Sequence, residues 1–152
     1  MKPRPRPRPI EILVAEDNPA DVRILQETLR EAEVPNRLHS VRDGVELLEF
    51  LRRQGAHAEA VRPHLVLLDL NMPRKSGLEA LLEIKKDPAL QSIPVIVLTS
   101  SNAEHDVAAA YDGHANCYIT KPMDLEDFEA VVQEIESFWL RVAQLPPAEG
   151  AA

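Results

Sequence analysis

The sequence predicts an α/β fold in which helices cover both faces of a doubly wound, five-stranded parallel sheet. Short apolar runs alternate along the chain with segments that repeat apolar residues at helical spacing, the pattern of βα units. The apolar runs are nearly continuous, as buried parallel strands are, and they end in polar residues. The chain has 152 residues, 45% of them hydrophobic, which matches the size and composition of one folded domain.

The strands are predicted at the short apolar runs. The run at 65–68 is too short for a globular helix, and the turn-forming residues Pro73 and Gly77 follow it. The four runs assigned to strands are 10–15, 65–68, 93–98 and 117–120. Helices are predicted at 20–32, 45–51, 78–86 and 103–111, and Asn18 can cap the first of them. A strand followed by a helix, repeated five times, accounts for the pattern.

The last predicted helix is longer than a domain of this size needs. Apolar residues keep helical spacing from 125 to 145, roughly 21 residues or about 32 Å. Phe138, Trp139, Leu140 and Val142 are expected beyond the sheet edge, where exposed apolar groups mark an interface. We therefore expect a homodimer with Phe138, Trp139 and Val142 in its interface. The alternative is that the segment folds back on its own domain or frays.

Three acidic residues follow two of the predicted strands. Asp69 comes directly after one strand, and Glu16 and Asp17 come directly after another. Ligands of open α/β sheets bind outside the carboxyl ends of the strands, so these acids are expected to share a pocket. Such a cluster persists only with a cation or a lysine among the acids, or with one acid protonated. Oxygen ligands alone favour Mg²⁺ or Ca²⁺ over zinc, although Glu16 and Asp17 taken by themselves could simply cap a helix.

The other two strand ends add a hydroxyl and an ammonium group. Thr99 follows the strand at 93–98, and Lys121 follows the strand at 117–120. A nucleophilic carboxylate, a metal and further donors for phosphate oxygens are what phosphoryl transfer to a carboxylate requires. The sequence therefore predicts a site for that reaction at this edge of the sheet.

Over residues 10–140 the chain resembles the receiver domains of the response regulators of bacterial two-component signalling. The motifs that carry the resemblance, in family order, are Glu16–Asp17, Asp69, Pro73, Gly77, Thr99, Tyr118 and Lys121–Pro122. The resemblance implies a flavodoxin-like, CheY-like strand order with the first and third strands adjacent. It also implies that Asp69 accepts a phosphoryl group from a sensor histidine kinase, and that Glu16, Asp17, Asp69 and the backbone carbonyl of Asn71 hold Mg²⁺.

The same resemblance gives roles to the remaining motifs. Lys121 would pair with the phosphate, and Thr99 would move to hydrogen-bond a phosphoryl oxygen. Tyr118 would then swing from exposed to buried and alter the face formed by the fourth helix and fifth strand. The Lys121–Pro122 bond is expected to be cis, as in relatives. The polar connection at 52–63 and the basic turn at 74–77 resemble small single-domain regulators that serve phytochrome-type histidine kinases.

Charge and composition set the expected boundaries and partners. We expect a basic, disordered Pro/Arg tail at 1–9, the receiver at 10–145 and a tail at 146–152. The net charge is −8. Without the four basic residues of the 1–9 tail it is −12, because 13 basic residues then remain against 25 acidic residues. Such a domain is a poor nucleic-acid binder, and no apolar stretch could span a membrane. We therefore expect a cytoplasmic protein whose output passes through a downstream protein that the sequence does not identify.

Three functions are compatible with these motifs. The first is a switch that catalyses its own phosphorylation and slow hydrolysis. The second is a phosphorelay intermediate that passes the group from Asp69 to a histidine-phosphotransfer protein. The third is a binding module that works without phosphorylation, which would normally have lost an acid or the lysine. A hydrolase of the haloacid-dehalogenase type is disfavoured because Asn71 stands where a second acid would be needed.

Overall fold

The parallel sheet predicted from the sequence is present in the structure, a computed structural model that describes residues 8–147. Its five strands are β1 (Ile10–Ala15), β2 (Asn36–Val41), β3 (Leu65–Leu68), β4 (Val95–Thr99) and β5 (Cys117–Thr120). All pairs are parallel and the spatial order is β2-β1-β3-β4-β5. Ala15 of β1 lies opposite Leu68 of β3, so the acids that follow these two residues lie side by side. The predicted adjacency of the first and third strands is confirmed.

The second strand is the element that hydrophobic periodicity did not reveal. β2 has the sequence NRLHSV, and Val41 is its only buried residue. It lies at an edge of the sheet and pairs with β1 alone among the described strands. An edge strand needs fewer apolar residues than a central one, so no apolar run marks it.

Within the described residues, five helices connect or follow the strands, and the first four lie close to their predicted bounds. They are α1 (Pro19–Arg30), α2 (Gly44–Arg52), α3 (Gly77–Lys86), α4 (Glu104–Asp112) and α5 (Leu125–Ile135). Four helices begin at a residue whose side-chain oxygen accepts a backbone N–H of the first turn, namely Asn18, Asp43, Ser76 and Asp124. The expected cap at Asn18 is confirmed, with its side-chain oxygen 2.9 Å from the amide nitrogen of Ala20.

The helices form two layers, one on each face of the sheet. One core is built from inward residues of the strands together with α2 and α3, among them Leu47, Leu81 and Ile84. The other contains residues of α1 and α5, among them Leu25, Leu29, Phe128 and Val132. Both layers bury large aliphatic side chains almost completely, which holds the strand ends in a fixed arrangement.

The C-terminal helix corrects the sequence prediction in part. α5 continues into a wider π-helical turn over Glu136–Val142 and ends there rather than at residue 145. Leu140, expected to be exposed, is buried, and Trp139 is half-buried against the core. The π-helical turn has an extra residue per turn, which shifts the register of the faces and brings Leu140 inward. Phe138 and Val142 are exposed as expected, at 54% and 70%.

The long connection after α2 lies on the surface. It contains one short 3₁₀ turn at Gly55–His57 and is mostly exposed up to the start of β3. The guanidinium of Arg62 donates to the carbonyl of Ala89 at 2.6 Å and fastens the connection to the loop before β4. Most of the predicted Pro/Arg tail and of the C-terminal tail lie outside the described residues. Within residues 8–147, no helix has the length and apolar character needed to cross a membrane.

Candidate functional site

The three predicted acids meet at the carboxyl ends of β1 and β3. Carboxylate oxygens of Glu16, Asp17 and Asp69 all lie within 4.8 Å of one another. The amide N–H of Asp69 donates to the carbonyl of Ala15 at 3.0 Å, which extends the β1–β3 pairing to the acid itself. Glu16 and Asp69 are buried and Asp17 is exposed. The site is thus open to solvent on one side and closed by the sheet on the other.

Lys121 supplies the positive charge that a buried acidic cluster requires. Its ammonium donates to Asp21 at 2.9 Å and to Asp69 at 3.3 Å, and it also forms a short hydrogen bond to Glu16. The Lys121 backbone N–H donates to the carbonyl of Thr99 at 2.7 Å, which fixes where the side chain starts. The Lys121 side chain is only 8% exposed, so solvent screens these ion pairs little.

The two buried acids of the cluster differ in ionisation, since Glu16 holds a proton and Asp69 is ionised. Burial, together with the neighbouring Asp69, raises the pKa of Glu16 to about 8 in the metal-free site. Burial also acts to raise the pKa of Asp69, but hydrogen bonds from Glu16, the Thr99 hydroxyl and the Asn71 amide outweigh it, so the pKa falls below its usual value. Burial opposes the charge of Lys121, but its acidic partners keep its pKa above the ordinary value. Repulsion among the acids is therefore reduced in two of the ways expected from the sequence, by the Lys121 ammonium and by a proton on Glu16.

The donors present suit a divalent cation. Glu16, Asp17 and Asp69 offer only oxygen atoms, the ligands that Mg²⁺, Mn²⁺ and Ca²⁺ prefer. Asn71 lines the same cleft of about 410 Å³, and its amide N–H donates to Asp69 Oδ1 at 3.1 Å. No other group of three or more acids, histidines or cysteines within residues 8–147 could hold a metal in this way. The predicted ligand set is therefore brought together at one place.

Thr99 and Tyr118 lie on the neighbouring strands β4 and β5. The fully buried Thr99 hydroxyl donates to Asp69 Oδ1 at 2.7 Å. The Tyr118 hydroxyl donates to the carbonyl of Ser101 at 2.8 Å, and the Ser101 hydroxyl donates to Asp106 at 2.5 Å. Tyr118 is half-buried here, packed against the core rather than exposed. Of the two residues assigned to a switch, Thr99 is thus bonded to Asp69, and Tyr118 is connected through Ser101 to Asp106 in the first turn of α4.

The predicted cis bond before Pro122 is wrong for this structure. No peptide bond within residues 8–147 is cis, so Lys121–Pro122 is trans. The tertiary amide before a proline has only a small preference between the two forms, so sequence alone does not fix the isomer. The Lys121 ammonium reaches its acidic partners with the bond in the trans form.

Asp21 is a residue of the site that sequence reasoning missed. It lies in the first turn of α1 and is one of three acids bonded to Lys121. An acid at that position is also favoured by the helix dipole, so by itself it gives no signal of a site. The available signal was its position one turn after the Glu16–Asp17 pair, at the start of the helix that leaves the same strand end.

Comparisons with known proteins agree with the geometry. Residues 12–133 match the response regulator receiver domain family. The chain is 49% identical over 137 residues to the response regulator Rcp1 of Synechocystis sp., covering 90% of this chain and 93% of that protein.

Solved structures give the same result. The Mn²⁺-bound form of Rcp1 has a TM-score of 0.89 at 48% identity, covering 91% of this chain and 100% of that one. The phosphorylated cyanobacterial phytochrome response regulator RcpA also has a TM-score of 0.89 at 48% identity, covering 92% and 100%. The bacteriophytochrome response regulator AtBRR has a TM-score of 0.70 at 34% identity, covering 91% and 100%. This chain belongs to the response regulator receiver domain family.

Proposed function

We propose that Asp69 is the phosphoacceptor of a single-domain response regulator and that a sensor histidine kinase supplies the phosphoryl group. The observation that carries the proposal is the environment of Asp69. Its carboxylate is ionised, and it lies within 4.8 Å of two further acids and 3.3 Å from the Lys121 ammonium. An ionised carboxylate beside a fixed cation and a set of oxygen ligands can attack the phosphorus of a phosphoramidate or an acyl phosphate as a nucleophile.

The transfer is a displacement at phosphorus. An oxygen of Asp69 attacks the phosphorus of a kinase phosphohistidine, forming a P–O bond while the P–N bond breaks. The electron pair of the broken bond stays on the imidazole nitrogen, which takes up a proton. Later attack by water on the acyl phosphate releases inorganic phosphate and restores the carboxylate. Lys121 can pair with the phosphoryl oxygens because its ammonium already lies at hydrogen-bonding distance from Asp69.

Mg²⁺ fits this site as the cofactor. Glu16, Asp17, Asp69 and the backbone carbonyl of Asn71 would hold it, and the oxygen-only donor set supports that assignment. When bound, the ion neutralises charge on the phosphoryl oxygens. Glu16 must give up its proton to act as a ligand, because a protonated carboxyl is a poor partner for a cation.

We propose that Thr99 and Tyr118 change position when Asp69 is phosphorylated. The Thr99 hydroxyl already donates to the Asp69 oxygen that would be next to the new phosphoryl group. A shift of that donor to a phosphoryl oxygen opens space beside Tyr118, whose hydroxyl is tied to the loop before α4 through Ser101. We propose that phosphorylation alters the α4–β5 face in this way and that a downstream protein reads it.

The partner kinase is proposed to be of the phytochrome type. The support is similarity: RcpA is described as a cyanobacterial phytochrome response regulator and AtBRR as a bacteriophytochrome response regulator. The sequence carries the same suggestion in its long 52–63 connection. Phosphotransfer from a purified phytochrome-type kinase to this chain, compared with transfer from an unrelated histidine kinase, tests this part separately.

We also propose a homodimer built on the C-terminal helix. Phe138 and Val142 are exposed at its outer face. Phe138 borders an apolar groove of about 550 Å³, lined also by Cys117, Ile119, Val131, Ile135 and Trp139. An exposed apolar side chain next to an apolar groove on the same face suits a symmetric contact, in which each copy contributes both features.

A phosphorelay role stays open as a second candidate, because a relay intermediate needs the same Asp69 chemistry. Loss of label from the phosphorylated chain to an added histidine-phosphotransfer protein would favour it. A binding module that works without phosphorylation would keep its partner contacts when Asp69 is replaced. The intact site, in which the three acids lie together and Lys121 is paired with Asp69, argues against that third function.

The proposal is tested by intact mass measurement after incubation with acetyl phosphate and Mg²⁺. We expect one phosphoryl adduct on the wild-type chain, none on Asp69→Asn and none with EDTA in place of Mg²⁺. Folding of Asp69→Asn is checked by circular dichroism. An adduct that forms equally on Asp69→Asn, or without a divalent cation, would contradict the proposal.

A further inference from the structure

The loop between β3 and α3 contains a backbone turn that is rare for its residue type. The amide N–H of Lys75 donates to the carbonyl of Pro73 at 2.8 Å, which closes a three-residue turn around Arg74. Arg74 has a φ of 64°, in the region that residues other than glycine seldom adopt. Such a conformation persists only where surrounding contacts hold it, and it is found most often near functional sites.

The start of α2, namely the capping residue Asp43 and the first helical residue Gly44, provides those contacts. Asp43 accepts two hydrogen bonds from the Arg74 guanidinium, at 2.9 Å from Nε and 3.2 Å from Nη2. The N–H of Gly44 donates to the carbonyl of Lys75 at 3.0 Å. A Cβ on Gly44 would lie 2.4 Å from that same oxygen, so the close approach requires glycine. We call the contact of Asp43 and Gly44 with the turn Pro73–Arg74–Lys75 the α2 clamp.

Asp43 is suited to hold the clamp in place. The Asp43 side chain is 11% exposed, and its Oδ1 also accepts the N–H of Glu46 at 2.8 Å as the cap of α2. Burial acts to raise the pKa of Asp43, but the bonds from Arg74 and the helix amides outweigh it, so the pKa lies below its usual value. Arg74 itself is 60% exposed, so its packing against the rest of the protein is slight and the ion pair is its main contact.

The clamp and the phosphorylation site share one short loop. The N–H of Gly77 donates to the carbonyl of Leu70 at 3.0 Å and closes the loop at its base. Asn71, whose carbonyl is a proposed Mg²⁺ ligand, lies between that closure and the clamped turn. Its N–H is already committed to Asp69 Oδ1. The backbone on both sides of the Asn71 carbonyl is therefore fixed before any ion arrives.

We propose that Asp43 and Arg74 are positioning residues, which hold the β3–α3 loop so that the Asn71 carbonyl is preorganised for Mg²⁺. This inference rests on the proposed function, since it concerns the same metal site. Neither residue reaches the acids directly. Asp43 and Arg74 restrict the conformations that the β3–α3 loop adopts without the ion. Less conformational freedom is then lost when Mg²⁺ binds.

The test is an Mg²⁺ titration followed by amide chemical shifts of Asp69 and the 70–76 loop. We expect Asp43→Asn, which keeps the α2 cap but loses the carboxylate, to weaken Mg²⁺ binding by about three- to tenfold. Arg74→Lys should lose about two- to threefold, because lysine keeps the charge but not the two-pronged geometry. The matched control is Arg141→Gln, which breaks an exposed ion pair with Glu33 and should leave Mg²⁺ affinity unchanged.

Hydrogen exchange of the Lys75 and Gly77 amides in the Mg²⁺-free protein gives an independent reading. Exchange at both should quicken in Asp43→Asn and stay at the wild-type rate in Arg141→Gln. Unchanged Mg²⁺ affinity in both clamp variants would overturn the inference, even with reduced stability, because that is the result of a purely structural ion pair. If Asp43→Asn does not fold, the exposed Arg74→Lys decides. Failure of the wild-type protein to bind Mg²⁺ would instead overturn the proposed function.

Discussion

Asp69 is buried beside two other acids, and its ionisation depends on specific donors. The Thr99 hydroxyl, the Asn71 amide and the Lys121 ammonium each contribute a hydrogen bond or a positive charge to it. These groups come from three different strand ends, which the sheet brings together. The Thr99 hydroxyl and the Lys121 ammonium can each be removed by substitution while Asp69 stays in place, so the ionisation of Asp69 and its proposed reaction can be tested separately.

We expect Thr99→Val to lower the free energy of unfolding by about 1.5–3 kcal/mol, because valine fills the volume but gives the buried carboxylate no donor. The measurement is urea unfolding at pH 7 without Mg²⁺. Thr120→Val, at an exposed position on β5, is the control and should change stability by less than about 0.5 kcal/mol. Equal effects of the two substitutions would contradict the account. The phosphoryl adduct should still form on Thr99→Val, since the proposed acceptor is Asp69.

The start of α3 lies so close to the end of β3 that the junction depends on a missing side chain. A Cβ on Gly77 would lie 2.1 Å from the Asp69 carbonyl oxygen and 2.7 Å from Leu70 Cα. Both are backbone atoms, which cannot move aside as the end of a long side chain can. Glycine at position 77 is therefore required by the close approach of α3 to the backbone of Asp69 and Leu70.

Gly77→Ala should cost at least about 3 kcal/mol, although alanine is the better helix former. Gly113→Ala is the comparison, because the nearest atom to its Cβ is the flexible Leu82 Cδ2 at 3.1 Å, and it should cost less than about 1 kcal/mol. Thermal and urea unfolding measure both. Similar stabilities of the two variants would show that the close approach at Gly77 relaxes easily.

His64 links β1 to the start of β3. The ring Nδ1 of His64 accepts the backbone N–H of Glu11 at 2.9 Å, and the backbone N–H of His64 donates to the carbonyl of Glu11 at 2.8 Å. Burial lowers the pKa of His64, and the charge of Glu11 opposes this only in part. The unfolded chain thus binds a proton near pH 6.5 that the folded chain takes up only at lower pH. The contribution of the neutral His64 to folding stability is fully present above pH 6.5. It is lost as the pH falls through the pKa that His64 has in the folded protein.

His64→Asn keeps a hydrogen-bond acceptor for Glu11 but does not titrate. Its free energy of unfolding should therefore fall less steeply than that of the wild type as the pH drops below about 6.5. Urea unfolding at a series of pH values gives both curves. Parallel curves across this range would show that His64 does not contribute to the acid sensitivity of the fold.

The molecule carries its apolar surface unevenly. The layer of α1 and α5 ends in the π-helical turn with the exposed Phe138 and Val142, next to the apolar groove beside β5. The opposite layer exposes Leu82 of α3 at 37%. If the C-terminal helix forms a dimer, only the first of these surfaces should matter for association.

We expect the wild-type chain to be a dimer at micromolar concentration and Phe138→Ser to be a monomer, because the exposed ring would enter the groove of the partner. Leu82→Ser, on the other layer, should remain a dimer. Light scattering coupled to size-exclusion chromatography measures the masses. A monomeric wild-type protein, or a dimer unaffected by Phe138→Ser, would rule out this interface.

The parts of the fold that depend on local patterning could be predicted from the sequence. The central strands are continuous apolar runs, and the site residues follow directly at their ends, so periodicity located Asp69, Thr99 and Lys121 together. The parts set by tertiary context could not be predicted. Edge strand β2 lacks an apolar run. Asp21 occupies a position where helices often have an acid, so its place in the site could not be recognised. The widened turn that buries Leu140 and the trans form of Lys121–Pro122 leave no mark in residue spacing.

The most direct measurement is chemical mapping of the phosphorylated residue. The chain is treated with acetyl phosphate and Mg²⁺, reduced with borohydride, digested and sequenced by mass spectrometry, since reduction converts an aspartyl phosphate to homoserine. We expect homoserine at position 69, dependent on Mg²⁺ and absent from untreated protein. Homoserine at Asp17 or Asp21, or a stable phosphate on a serine, threonine or histidine with Asp69 unmodified, would contradict it.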